Sequence, residues 1–268
     1  MLEQIVENIN ILGTFCGKRD IPELTREQLQ SKYGVEQADV FVLFGGSIMC
    51  GGDVLAEAIR KQVAKKFVIV GGAGHTTETL RVKMHAEFPE IETKDKPEAE
   101  VFAAYLKHRY GLEPDFLECN STNCGNNITY LLELLKENRI DYQTIILAQD
   151  ATMQHRMEAG LRKYVEDNVQ IINYAVYQAT VAVQMTEEGS KLGYEQQIWG
   201  MWDVERYISL LMGEIPRLSD DENGYGPRGK DFIAHVEIPD HVRRAFEELR
   251  AEYADLVRDA NPLYASRI

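Results

Sequence analysis

Short continuous apolar runs alternate along the chain with longer stretches whose apolar residues recur at helical spacing. Residues 39–44 (Asp-Val-Phe-Val-Leu-Phe) form such a run, closed by Gly45-Gly46, the pattern of a strand covered on both faces in a parallel sheet. Leu55, Ala58, Ile59 and Val63 then share one helical face. A second run, residues 67–70, is closed by Gly71-Gly72. Pro97 suits a first helical turn, with Val101, Phe102, Tyr105 and Leu106 as that helix's buried stripe. Residues 116–118 predict a third strand. Ile128, Leu131, Leu132 and Leu135 follow at i, i+3, i+4 and i+7, the clearest amphipathic helix in the chain. Residues 144–148 predict a fourth strand, Met153, Met157 and Leu161 the helix after it, and residues 170–173 a fifth strand.

Strands alternating with helices predict an α/β fold, a Rossmann-like three-layer sandwich with a mostly parallel sheet, over residues 37–175. Strand order is not written in the pattern. Residues 1–36 read as helical and polar, with a short helix between Pro22 and Leu29. After about residue 175 the alternation stops: residues 199–211 and 242–257 read as helices on either side of an irregular loop at 220–229. The two ends, 1–36 with 176–268, are expected to form a small helical appendage on the sheet.

Composition narrows the function classes. The 268 residues carry 29 Lys+Arg against 43 Asp+Glu, a formal charge of −14, which argues against nucleic acid as a partner because phosphate-backbone binding needs clustered cations. No apolar run approaches the roughly 20 residues that span a bilayer, and the acidic N-terminus lacks the basic start of a signal peptide, so a cytoplasmic protein with no membrane partner is expected. Cys16, Cys50, Cys119 and Cys124 lie far apart with no C-x-x-C pair, which predicts reduced thiols and no metal site.

Candidate chemistry lies at the carboxyl ends of the predicted strands, where ligands of open α/β sheets bind. Gly45-Gly-Ser-Ile-Met-Cys-Gly-Gly52 brings Gly45, Gly46 and Ser47 to a helix start, either as a tight turn or as a close approach for an anionic ligand; it lacks the Lys-Ser/Thr of a Walker loop. Gly71-Gly-Ala-Gly-His-Thr-Thr77 offers Gly71, Gly72 and Gly74 with His75, a group suited to acid–base work or to plain exposure. Ser121-Thr-Asn-Cys-Gly-Asn-Asn127 supplies Ser121, Asn123 and Asn127 as caps or as ligand contacts. Gln149-Asp-Ala-Thr-Met-Gln-His-Arg156 adds Gln149, Asp150, Gln154 and Arg156, whose guanidinium suits a carboxylate or phosphate. In the loop Gly224-Tyr-Gly-Pro-Arg-Gly-Lys-Asp231, Tyr225 offers a flat face and Arg228 a fork for a ligand carboxylate or for Glu205. That loop is expected to fold back over the strand ends as a lid.

Taken in order, Gly71-Gly-x-Gly-His, Glu98-Ala, Ser121-Thr-Asn-Cys-Gly, Gln149-Asp-x-Thr-Met-Gln-x-Arg156, Trp202-x-Val-Glu-Arg-Tyr207 and Gly224-Tyr-Gly-Pro-Arg-Gly-x-Asp-Phe232 resemble the YdcF branch of the YdcF/SanA/ElyC-like family over residues 39–239. The resemblance implies a Rossmann-like domain with a helical C-terminal part and an S-adenosylmethionine ligand, with no established reaction. Glu98, Ser121, Asn123, Asn127 and Arg156 fall on the broader family's polar positions. Cys124 stands where the family usually has Thr, and Asn126 where it usually has Glu, so a mechanism needing that carboxylate does not transfer. SanA-like and ElyC-like relatives carry a membrane anchor, which is not expected here.

Three functions follow as expectations. The first is a binder of S-adenosylmethionine or a related adenine nucleotide, with transferase activity as an option. The second is a hydrolase or transferase with Glu98 and His75 as acid and base and Arg156 holding an anionic group. The third is a ligand-responsive interaction protein without turnover. The second strand ends in Gly71-Gly72 where ordinary methyltransferases place an acidic residue for the ribose, which disfavours their mechanism.

Overall fold

The computed structural model describes residues 2–74, 76–187 and 189–253. Five parallel strands, β1 (Ala38–Phe44), β2 (Ala64–Val70), β3 (Phe116–Glu118), β4 (Thr144–Ala148) and β5 (Gln170–Asn173), form one sheet in the order β3-β2-β1-β4-β5. Because β1 is covered on both faces, its side chains divide by parity. Val40, Val42 and Phe44 join Val68, Val70, Ile145 and Leu147 on one face, packed against Ile128, Leu131, Met157 and Leu161 of α6 (Cys124–Glu137) and α7 (Gln154–Tyr164). Phe41 and Leu43 join Ile69, Ile146 and Ile172 on the other face, under α3 (Cys50–Arg60), α4 (Thr77–Glu87) and α5 (Glu98–Tyr110). This is the Rossmann-like three-layer sandwich, its helices changing face between the crossovers that precede β3 and those that follow it.

The remaining elements are α1 (Leu2–Cys16), α2 (Arg26–Tyr33), an antiparallel hairpin of β6 (Val181–Thr186) and β7 (Gly189–Tyr194), α8 (Val204–Leu218) and α9 (Asp240–Glu252). α1 packs against α8, α9 and β6, through Ile5, Ile9 and Leu12.

Several boundaries differ from the sequence expectation. α2 starts after Thr25, whose hydroxyl accepts from the Gln28 N–H at 3.2 Å, not after Pro22. α4 carries too weak an apolar stripe to be read: only Thr77, Leu80 and Met84 are buried. The β6–β7 hairpin interrupts the expected all-helical appendage; its half-exposed strands dilute the alternation that marks a buried strand. α8 begins at Val204 because Asp203 caps the Arg206 N–H at 2.7 Å, which leaves Trp199 and Trp202 outside the helix. α9 ends at Glu252, with Tyr253 as its C-cap where the helix was expected to continue, and residues 254–257 of the expected helix lie outside the described residues. Among the described residues, no helix is long and apolar enough to cross a membrane.

Candidate binding site

All five strands run parallel, so their carboxyl ends share one edge of the sheet. Strand order reverses between β1 and β4, the switch point at which open sheets leave a crevice. On the β4 side, the Gln149 N–H donates to Gln154 Oε1 at 2.9 Å, and Gln154 Nε2 donates to the Leu147 carbonyl and to Asn173 Oδ1. Gln154 is fully buried, a bracket between β4 and β5 with no face for a ligand. Asp150 is likewise occupied: it accepts from the Thr152 N–H and hydroxyl, from the Tyr177 hydroxyl at 2.7 Å, and from Trp202 Nε1 at 3.1 Å. Both were expected to contact ligand; the structure gives them framework roles. Gln149 differs, because Oε1 accepts from the Asp150 N–H at 2.7 Å while its amide Nε2 donates to no described residue.

On the β1 side, a Cβ placed on Gly46 would meet only Gln149 Oε1, at 3.8 Å. The N–H groups of Gly46, Ser47 and Ile48 donate to no described residue. Ser47 is 1% exposed, and its Oγ is the one buried side-chain polar atom among the described residues without a hydrogen-bond partner. Leaving a hydroxyl buried and unpaired costs about 1–3 kcal/mol, so this atom calls for an explanation.

The glycines between β1 and β2 have a different use from the one expected. A Cβ on Gly45 would come within 2.6 Å of Glu98 Oε2, and one on Gly71 within 3.0 Å of Glu98 Cβ, so both residues make room for Glu98 at the start of α5. A Cβ on Gly72 would collide with the Ser121 carbonyl oxygen and lie 2.8 Å from that of Cys119. Gly72 admits the β3–α6 backbone, and its N–H donates to the buried Ser121 hydroxyl at 3.1 Å. Ser121 and Gly72 therefore fasten one another. Glu98 Oε1 accepts from the Thr77 hydroxyl at 2.8 Å and the Thr76 hydroxyl at 3.3 Å, and Oε2 accepts from no described group. Burial raises the Glu98 pKa above its ordinary value, against the lowering pull of the two threonines and Arg81. Gly74 is exposed and its N–H donates to the Thr77 hydroxyl at 2.7 Å; His75 lies outside the described residues.

At the start of α6, Asn123 is the N-cap, accepting from the Asn126 N–H at 3.0 Å, and the Asn127 N–H bonds the Asn123 carbonyl. Arg156 does not stand ready as a free clamp. Its Nε and Nη2 grip Glu214 of α8 at 2.5 and 3.0 Å, with Glu214 only 4% exposed. Nη1 donates to no described residue, and Arg217 adds a second cation 3.8 Å from Glu214. Burial opposes the Arg156 charge, but Cys124, Glu214 and Tyr225 outweigh it and keep the guanidinium protonated.

The expected pairing of Arg228 with Glu205 is not formed: Arg228 is mostly exposed and pairs with Asp220 at 3.2 Å. Tyr225 stacks edge-on against Phe232, with ring centroids 5.2 Å apart, and its N–H donates to the Arg217 carbonyl, which braces the loop on the end of α8.

Sequence reasoning gave no site role to residues 195–203, which cross the strand ends. The Trp199 carbonyl accepts the Cys50 N–H at 3.2 Å, Trp199 Nε1 donates to Glu87 at 2.7 Å, and Lys83 donates to the Gly200 carbonyl at 3.0 Å. With Trp202 on Asp150, this strap joins α3, α4 and the end of β4. The signal available was the Trp202-x-Val-Glu-Arg-Tyr207 motif, which carries no spacing that names its contacts. Two shallow surface clefts, of about 460 and 650 Å³, lie elsewhere, one beside α5 and β3 and one at the opposite edge of the sheet, and neither contains a candidate site residue. No family model matches the chain.

Proposed function

We propose that the protein binds a small molecule in the β1–β4 crevice, with S-adenosylmethionine or a related adenine nucleotide as the ligand. The observation that carries the reading is Ser47 Oγ, buried and unpartnered at the switch point beside three free backbone N–H groups and the Gln149 amide. A ligand acceptor at this place would satisfy the hydroxyl. The ligand's identity rests on the resemblance to the YdcF branch, and the free, separated cysteines fit a cytoplasmic setting. Glu98 adds support: it brings from α5 the carboxylate that β2 lacks at its own end, with Oε2 available to accept from ligand hydroxyls.

A hydrolase or transferase reading is favoured by one observation, the raised pKa of Glu98, which suits a proton donor held near the strand ends. Binding without turnover is the outcome expected if Glu98 acts only as an acceptor.

Ser47→Ala tests the binding reading. Deleting a hydroxyl with no partner leaves stability unchanged or raised, while the affinity for S-adenosylmethionine falls by about 0.5–1.5 kcal/mol, roughly two- to tenfold. Thermal unfolding and calorimetric titration measure the two quantities. A loss of stability with unchanged affinity would make Ser47 a framework residue and remove the basis of the reading. Product analysis with Glu98→Gln then separates turnover from binding alone.

A further inference from the structure

The strap at residues 195–203 occupies a group that a ligand of this crevice would use. α3 begins without a side-chain cap at Met49. The Gly51 and Gly52 N–H groups turn back to the Ile48 and Met49 carbonyls, so the Cys50 N–H is the one in this turn that reaches outside it, to the Trp199 carbonyl at 3.2 Å. Ser47 Oγ, buried and unpartnered, lies in the same β1–α3 turn. A helix start with free donors and the positive end of its dipole favours an anionic oxygen over an amide carbonyl, since charge-assisted hydrogen bonds are roughly twice as strong as neutral ones.

The charges around the turn narrow the anion. Asp53 and Asp150 both act on the Cys50 thiol, whose pKa is pushed up to about 12, chiefly by burial, with Arg19 opposing them. Two nearby carboxylates disfavour a doubly charged phosphate more than a singly charged carboxylate.

The strap's side chains are half-buried or exposed and none is fully enclosed. Ile198, Trp199, Met201 and Trp202 pack on the edge of the core, with Trp199 5.1 Å from the Tyr105 ring and 6.0 Å from that of Phe88. Its polar contacts are Trp199 on Glu87, Trp202 on Asp150, and Lys83 on the Gly200 carbonyl and 5.1 Å over the Trp202 ring. Gly200 holds a φ of 78°, and a Cβ there would lie 2.7 Å from the Met49 nitrogen, so the turn that aims the Trp199 carbonyl at Cys50 depends on glycine.

We propose that the ligand carries a carboxylate that binds at the β1–α3 turn, taking the Cys50 N–H from the Trp199 carbonyl and pairing with the Ser47 hydroxyl. The strap is then a self-supplied occupant that closes the empty site and is displaced on binding. This rests on the crevice being the binding site.

The protein's two tryptophans, Trp199 and Trp202, both lie on the strap, so intrinsic fluorescence reports its position directly. The probes are S-adenosylmethionine and its decarboxylated analogue, which keeps the adenosine and sulfonium but lacks the carboxylate. The expected result is that S-adenosylmethionine shifts tryptophan emission and binds at least about tenfold more tightly than the analogue, as loss of a charge-assisted hydrogen bond requires. If both bind equally and emission stays fixed, the carboxylate subsite is overturned while the crevice stands as a binding site. If neither raises the unfolding temperature, the ligand reading falls and takes the proposal with it. Gly200→Ala loosens the strap, and Lys83→Met cuts an anchor on α4 in case the first variant fails to fold. Both should raise affinity for S-adenosylmethionine by about threefold or more, because the open state is more populated before binding. A fall in affinity in the folded variants would show a wall of the site in place of a competing occupant.

Discussion

The Arg156–Glu214 pair offers a measurement in which topology, charge and burial make one quantitative claim. Glu214 is 4% exposed on α8, gripped by Nε and Nη2 of Arg156 from α7. Removing one member of a buried pair strands the other charge and costs about 3–5 kcal/mol, whereas replacing both with apolar residues of similar volume is close to neutral or stabilising. Arg217 breaks the symmetry of the two single losses. With Arg156 gone, Glu214 keeps a cation at 3.8 Å; with Glu214 gone, two guanidinium groups face each other without a counter-charge. Arg156→Met is therefore expected near the lower end, about 3 kcal/mol, and Glu214→Met near the upper end, about 5 kcal/mol. The double variant should lie within about 1 kcal/mol of the native protein or above it. Urea unfolding of the three variants gives each stability, with unchanged slopes as the check that the denatured state is comparable. Arg156→Met as costly as Glu214→Met would refute the role of Arg217. A double variant that equals the sum of the singles would refute the pair as a buried unit.

Two other expectations test the reassigned strand-end residues. Gly72→Ala should destabilise by more than about 3 kcal/mol, because its Cβ meets backbone carbonyls that cannot swing aside, while Gly74→Ala, exposed and 3.5 Å from the Thr122 oxygen, should change stability by about 0.5 kcal/mol or less; comparable losses in thermal unfolding would contradict this use of Gly72. Glu98 has a folded-state pKa above its ordinary 4.5, so its contribution is favourable in acid and is lost as pH rises through the raised value. Glu98→Gln should accordingly gain stability relative to the native protein between mildly acidic and neutral pH, and a flat difference across that range would rule out the burial effect.

The sheet was legible because strands covered on both faces are written as unbroken apolar runs, and the runs ending in Phe44, Val70 and Ala148 each coincide with a strand end. Strand order was not, since it depends on which face each crossover helix covers, and residues such as Leu131 and Phe102 carry no mark of face. The glycines were legible as strand ends, but the contacts that require them were not. Gly45 and Gly71 accommodate Glu98, and Gly72 accommodates the backbone of residues 119–121, contacts made across more than 20 positions that no local pattern encodes. Trp199 on Cys50 and Arg156 on Glu214 are of the same kind: each links a motif to a C-terminal segment whose placement follows from packing against the shared core. Ser47 was named from its position after β1, but its distinguishing property, a hydroxyl with no partner, exists only in three dimensions.

The crevice between β1 and β4 has a topological cause. α3, α4 and α5 lie on one face of the sheet, so at the β1–β2 boundary the start of α5 comes back over the strand ends: its first N–H groups, from Glu98 and Ala99, bond the Gly72 and Gly71 carbonyls at 2.9 and 2.8 Å, and the Glu98 side chain fills the gap. At the β1–β4 boundary the helices that follow the two strands leave to opposite faces, α3 to one and α7 to the other, so neither helix start can close the gap between them. Residues 195–203, between β7 and α8, meet that boundary at Cys50 and Asp150 and are held as well on Lys83 and Glu87. Residues 195–203 belong to no strand or helix, so their contacts with Cys50, Lys83, Glu87 and Asp150 can rearrange without breaking a regular element.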